Sequence, residues 1–360
     1  MKGIASLLLL GLALATVSCG GSSGLHERTT LAPPPTDKIY FGAFPDFGGT
    51  EENVTAQRIR DFERIADKQI LWACFSNNWW HGIRYPKKRI HAIAGTGTIP
   101  YVRLMPRSDE IQGHSPRKYT LQKIIDGAFD KELRQWARDA KADAVPILAD
   151  FALEMNGDWF PWSGIFNGGG STDQYGDPGY PDGPERHRDA YRHIIDLFRA
   201  EGVRHVTWMF HYNYASSPYV AWNKPRYYYP GDDYIDWVGF SLYGAQTLTE
   251  SWVGLGFAEQ LRDYADDLAA IGTHKPIALL EFGAIDHHPD GNKSAWLDDA
   301  FRTILADPQK IHLKAISPWH EKWQNEDESW TNLRLDSSAE VQETFRRWIR
   351  NERFLSLPTP

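Results

Sequence analysis

Hydrophobic and polar positions along the chain fall into two alternating regimes. Short runs rich in β-branched and aromatic residues, at 39–44, 70–75, 99–104, 145–153, 205–210, 237–242, 277–282 and 313–317, read as strands. Between them lie longer stretches in which apolar residues recur every three or four positions, such as 55–68, 118–140 and 186–201. These read as amphipathic helices, the last closed by Gly202 as a C-terminal stop. Eight strands separated by helices predict an α/β chain folded as a (β/α)8 TIM barrel, and a body of roughly 320 residues from about Lys38 suits that size range. An open doubly wound sheet is the competitor, but no glycine-rich phosphate loop follows the first strand.

Ahead of the body the pattern changes twice. Residues 1–18 carry one basic residue, Lys2, then an apolar run of about fourteen residues that is too short to span a bilayer. The ending Thr16-Val17-Ser18-Cys19 resembles a bacterial lipoprotein signal, whose cysteine becomes the acylated first residue of the mature chain. A plain secretory signal cut nearby is the alternative. In either case export is expected, to the cell envelope or beyond it. Residues 19–37 turn to Gly, Ser, Thr and Pro33-Pro34-Pro35 and read as a flexible tether, leaving 38–360 as a single domain. The second cysteine, Cys74, lies in an apolar run and reads as a buried core thiol.

Charge and composition narrow the chemistry. The net charge of -8 comes from 39 basic and 47 acidic side chains, with no basic concentration of the kind that nucleic acid requires. A membrane contact is expected only through a lipid on Cys19, and the chain is expected to act as a monomer. The 15 Trp, against only 4 Met, exceed what packing needs, so some should face a ligand. Trp136, Trp296 and Trp348 fall on helical stretches and read as packing.

In a barrel the working face lies at the C-terminal ends of the strands. Those ends carry Asn77-Asn78-Trp79-Trp80-His81, Arg103, Glu154-Met155-Asn156-Gly157, His211-Tyr212-Asn213-Tyr214, Tyr243, Glu281-Phe282-Gly283 and Trp319-His320. Flat aromatic surfaces mixed with fixed polar groups suit sugar rings. Glu154 and Glu281 end the fourth and seventh strands, which lie across the rim from one another. Glycoside hydrolysis asks for such a pair, one carboxyl protonated and the other ionised.

The stretch Glu154-Met155-Asn156-Gly157-Asp158-Trp159-Phe160-Pro161-Trp162 resembles the acid/base motif of glycoside hydrolase family 26, best known for endo-β-1,4-mannanases, with Tyr243 and Glu281-Phe282-Gly283 following in the right order. The resemblance implies a retaining double displacement with Glu154 as general acid/base, Glu281 as nucleophile and Tyr243 hydrogen-bonded to that nucleophile. The expected partner is a β-linked polysaccharide, mannan first, and no cofactor. Trp162 and Trp319 are candidate sugar platforms. Trp159, with Phe160, either contributes a subsite or packs beneath the loop. Asn156 is expected to orient Glu154 or to contact a hydroxyl, and His81, Arg103 and His211 are candidate substrate contacts, with His320 beside them.

One position departs from the family. Mannanases of this type usually have His before the acid/base, whereas this chain has Leu153. That substitution brings β-1,3-1,4-glucan, β-1,3-xylan or an exopolysaccharide into consideration. A catalytically silent carbohydrate-binding lipoprotein is the alternative from another class. The aspartates of the 168–178 loop lack the ligand spacing of a calcium loop, and His287-His288 has no evident third ligand, so no metal site is expected.

Overall fold

The computed structural model describes residues 29–251, 256–325 and 327–358. The signal segment and Cys19 lie outside them.

Eight parallel strands form the wall: β1 (Ile39–Phe41), β2 (Trp72–Asn78), β3 (Ile99–Met105), β4 (Ile147–Phe151), β5 (Val206–Asn213), β6 (Trp237–Tyr243), β7 (Ile277–Gly283) and β8 (Leu313–Pro318). From β2 to β8 each pairs with its neighbour in chain order, and β1 pairs with β8. The seam between β1 and β2 closes through a bridge of Ala43 with Ala73, where Cys74 N–H donates to the Ala43 carbonyl at 3.0 Å. The predicted (β/α)8 barrel is the observed fold. Gly42 sits at this seam because the Trp72 indole packs where a side chain would be: a Cβ there would lie 2.2 Å from the ring.

The helices outside the wall are α1 (Ala56–Ala66), α2 (Lys87–Ala94), α3 (Leu121–Ile125), α4 (Asp130–Asp143), α5 (Asp182–Ala200), α6 (Phe257–Ala269), α7 (Lys293–Ala306) and α8 (Ala339–Ile349). The helix expected over 118–140 is two helices. Gly127 adopts φ +77°, which ends α3, and the chain restarts at Asp130. Gly202, also left-handed at φ +77°, follows the end of α5. None of the described helices is long and apolar enough to cross a membrane.

Three features lie outside the sequence expectation. A short antiparallel ribbon, β9 (Lys322–Gln324) with β10 (Trp330–Asn332), follows β8. A terminal strand, β11 (Phe354–Leu355), adds to the free side of β1. Residues near Leu31, expected within the tether, dock on the body instead. Leu31 is buried, its N–H donates to Thr207 Oγ1 at 2.8 Å, and its carbonyl accepts from Trp237 Nε1 at 2.9 Å. A buried leucine with both backbone groups satisfied removes apolar surface from water, which a free tether cannot do.

Candidate active site

The strands bring a band of polar side chains to one level of the barrel. Register aligns Ser76, Arg103 and Asp150 across β2, β3 and β4. On the opposite wall the β6–β7 ladder slips by one residue after Phe240, so that Ser241 stands beside Glu281. This bulge re-aims the end of β7. All five of these side chains are buried.

Glu281 is fixed by charge. Arg103 donates from NH1 to its Oε1 at 2.5 Å, and Tyr243 donates its hydroxyl to Oε2 at 2.7 Å, the bond that the family resemblance implies. The same guanidinium is ion-paired with Glu51, which also accepts from Ser76. Burial lifts the Glu281 carboxyl to about 7, against the pull of Arg103, with the charge of Glu154 adding to the rise. Burial also acts on Glu51, yet Arg103 and Ser76 hold that carboxyl below its ordinary value.

Glu154 is fixed differently. It lies just beyond β4, where Ala152 and Glu154 both take left-handed backbone at φ +52° and +50°. Such conformations cost about 1–3 kcal/mol each and persist where surrounding bonds over-determine them. Here Ala152 N–H donates to Leu104 O at 3.0 Å, Glu154 N–H to His211 O at 2.8 Å, and Gly157 N–H to Glu154 O at 2.9 Å. His187 Nε2 supports the Ala152 carbonyl at 3.0 Å. The carboxyl itself accepts from Trp159 Nε1, at 3.0 Å from Oε2. Burial raises it above the ordinary carboxylate value, and hydrogen bonding together with the charge of Arg103 only partly offsets that rise.

Two buried carboxyls that sense each other titrate as a pair. Arg103 is bonded to Glu281, and its charge pulls on both carboxyls against the rise that burial causes.

The other expected site residues are distributed unevenly around this pair. Trp159 is half-buried with its indole on Glu154, so it belongs to the site. Trp162 is fully buried, stacked on Phe160 at 4.5 Å and bonded to Leu153 O at 2.7 Å; it supports the loop and offers no face to a sugar. Trp319 is 5% exposed, with Phe44 stacked on it at 3.9 Å and Arg103 over its ring at 4.7 Å, so it underlies the ion pair instead of forming an open platform. Arg103 is a scaffold for Glu281, not a peripheral substrate contact. Asn156 is buried and clamps the β5 loop, accepting from Asn213 N–H at 2.9 Å and donating to Asn213 O at 2.8 Å. His211 lies inside the barrel on Asp150 and Ser241. His320 is buried against Phe62 and held near 3 by that burial, hence neutral. His81 is exposed beyond β2. Leu153 is buried and offers no polar group to a sugar.

Glu51, Ser241, Asp150 and Glu321 were not singled out from sequence. Glu321 accepts from Trp319 Nε1 at 3.0 Å, and burial pushes it up to about 8. The 168–178 loop is bound to the start of α5, with Gln174 N–H on Asp182 at 3.0 Å and Asp177 N–H on Glu185 at 3.1 Å. Among the described residues no group of three His, Cys, Asp or Glu side chains is placed to hold a metal ion.

An eight-stranded barrel with paired carboxyls at its rim is the arrangement that the glycoside hydrolase class of TIM barrels uses. Within that class, residues 110–257 match the model of glycosyl hydrolase family 26. Endoglucanase H of Acetivibrio thermocellus is 27% identical over 305 residues, 84% of this chain but 29% of that protein, so the chain spans less than a third of that relative's length. Among solved structures, the Bacillus subtilis mannanase BCman superposes with a TM-score of 0.58 at 16% identity, covering 89% of this chain and 87% of that one. The Bacteroides ovatus β-mannanase BoMan26A gives 0.58 at 17%, covering 90% and 91%. The Cellulomonas fimi endo-β-1,4-mannanase double mutant gives 0.59 at 17%, covering 89% and 72%. The resemblance to glycoside hydrolase family 26 read from 154–162 therefore holds for the family match and for the fold of the whole described barrel.

Proposed function

We propose that this protein is an endo-acting β-glycanase that cleaves its polysaccharide with retention of configuration. The reading rests on one observation: a carboxylate held by a cation, Glu281, shares a rim with a carboxyl held only by neutral donors, Glu154. Glu154 protonates the departing glycosidic oxygen while Glu281 attacks the anomeric carbon and forms a covalent glycosyl-enzyme. Arg103 and Tyr243 keep the attacking carboxylate ionised and aimed. Glu154, now deprotonated, removes a proton from water, which attacks the anomeric carbon and releases Glu281. A protein that only binds sugar needs neither carboxyl.

The substrate of first choice is β-1,4-mannan, by the family resemblance. A second reading, β-1,3-1,4-glucan, is favoured by the identity with Endoglucanase H and by the buried Leu153. The chain is exported and lipid-anchored through Cys19, and acts as a single chain on a neutral polymer. Incubation with mannan, mixed-linkage glucan, β-1,3-xylan and exopolysaccharides separates these readings. Viscosity falling ahead of reducing-end release on one of them supports internal cleavage, and release of monosaccharide alone contradicts it. Cys19→Ala should free the protein from membranes; continued association would overturn the anchor.

A further inference from the structure

Beyond β8 the residues Lys322-Trp323-Gln324 and Trp330-Thr331-Asn332 alternate between the two faces of the β9–β10 ribbon. Register pairs Trp330 with Gln324, Thr331 with Trp323, and Asn332 with Lys322. Thr331 and Trp323 therefore share one face, with Thr331 buried and Trp323 packed on the core. Trp330, Lys322, Gln324 and Asn332 share the other. Trp330 is 53% exposed and is the one exposed tryptophan among the described residues. Lys322 Nζ lies over its ring at 4.5 Å, the diagonal contact open to same-face residues of an antiparallel pair.

The ribbon is tied down at its turn, its inner face and its exit. At the turn Asn325 N–H donates to Ser329 O at 2.9 Å, and Asn325 Nδ2 donates to Thr331 Oγ1 at 3.0 Å. On the inner face the Thr331 hydroxyl donates to Gln246 O at 2.8 Å. At the exit the buried ammonium of Lys293 donates to Asn332 O at 3.1 Å and to Arg334 O at 2.6 Å. Two outer amides are oriented as well: Asn332 Oδ1 accepts from Arg334 N–H at 3.1 Å, and Gln324 Nε2 donates to Glu328 O at 3.2 Å. Ordering these residues costs conformational entropy, and a tryptophan left in water recovers little of it by burial. What the arrangement provides is a preorganised flat ring with amide and ammonium groups around it.

This face lies at the catalytic end of the barrel. Leu333, the residue after β10, packs on Gly283, where a Cβ would lie 3.5 Å from that of Leu333, two positions past Glu281. Leu333 N–H donates to Glu321 O at 2.9 Å, and the Glu321 carboxyl accepts from the Trp319 indole beneath Arg103. Gln246, held by Thr331, is three positions past Tyr243. Trp330 is three residues from Leu333, about 10 Å along an extended strand, so it borders the cleft at a distance from the cleaved bond.

We propose that the outer face of the β9–β10 ribbon is a distal sugar subsite. Trp330 is the platform for one ring of the same β-linked polysaccharide chain that lies across Glu154 and Glu281, and Lys322, Gln324 and Asn332 hydrogen-bond its hydroxyls. The proposal rests on the endo-glycanase reading, because only a polymer extending past the cleaved linkage reaches the ribbon. The chemistry of the face fits that occupant: an indole takes the C–H face of a pyranose, and amides and an ammonium meet hydroxyl oxygens. It also supplies the open aromatic surface that Trp162 and Trp319, both buried, do not.

The test follows two indoles. In Glu281→Gln protein with 15N-labelled tryptophan, the Trp330 and Trp159 signals are those lost in Trp330→Phe and Trp159→Phe. The probes are the disaccharide to the hexasaccharide of β-1,4-mannan, of mixed-linkage β-glucan and of β-1,3-xylan. In the series that binds, short members should move Trp159 alone and long members should move Trp330 as well. On the polysaccharide that is cleaved, Trp330→Ala should raise KM about three- to tenfold, the scale of one lost aromatic contact, and Trp330→Phe should recover most of that loss. A Trp330 signal that stays still while Trp159 responds, or that moves as far with the disaccharide as with the hexasaccharide, would overturn the subsite and leave the glycanase reading standing. An unchanged KM in Trp330→Ala would overturn it too. Silence of both indoles toward every series would remove the glycanase reading and the subsite with it.

Discussion

Glu281 and Glu154 occupy one rim and are built by opposite means. Glu281 stands in a regular strand, re-aimed by a bulge and gripped by a guanidinium and a phenol. Glu154 stands on left-handed backbone past the end of its strand and accepts from an indole. Both are buried, so burial alone would raise both. The difference lies in the partners: Glu281 is bonded to a fixed cation and a phenol, and Glu154 to an indole. In the proposed mechanism, acid and nucleophile are distinguished by their surroundings and not by residue type.

Removing either carboxyl should break this division most severely. Glu281→Ala should lower kcat/KM by roughly 10⁵-fold, on the scale of nucleophile loss in other hydrolases, and should affect every leaving group alike. Glu154→Ala should cost about 10²–10⁴-fold on polysaccharide. Its glycosylation step on a dinitrophenyl glycoside should change little, because that leaving group needs no proton. Equal losses on both substrates would erase the distinction between the two carboxyls.

Exchanging the partners should shift the pair without removing it. Arg103→Met leaves Glu281 and Glu51 buried without their cation, and breaking a buried pair in this way costs about 3–5 kcal/mol of stability. The sign for activity follows from the same loss. The Glu281 carboxyl, already lifted to about 7, rises further, so the acid limb of kcat/KM should move to higher pH. Trp159→Phe keeps the ring but removes a donor to ionised Glu154. Its alkaline limb should move up by a few tenths of a pH unit to one unit, the smallest of these effects, with the acid limb unchanged. A shift of the acid limb instead would mean that Trp159 serves the other carboxyl.

The barrel was legible in the sequence because each strand is an apolar run ended by polar residues, and six of the eight expected runs begin within one residue of the observed strands. The carboxyls, Tyr243 and Trp159 were legible from their places at strand ends and in the 154–162 motif. Burial at those ends was not. A barrel wall is covered on both faces, so Trp162 and Trp319 present the same pattern whether they face a cleft or the core, and their stacking partners Phe160 and Phe44 decide it. Glu51 escaped notice because its partner Arg103 is 52 residues away. Ser241 did so because only the slip in the β6–β7 ladder places it beside Glu281. The break at Gly127 depends on a positive φ that helical periodicity does not register.

The most direct test of the division between the carboxyls is to trap the covalent intermediate. The protein would be treated with a dinitrophenyl 2-deoxy-2-fluoro-β-glycoside matched to the polysaccharide it cleaves, then digested and analysed by mass spectrometry. The account predicts one glycosyl group on the peptide that carries Glu281, and in uninhibited turnover a first-formed product of β configuration. A label on Glu154, or a first product of α configuration, would contradict it.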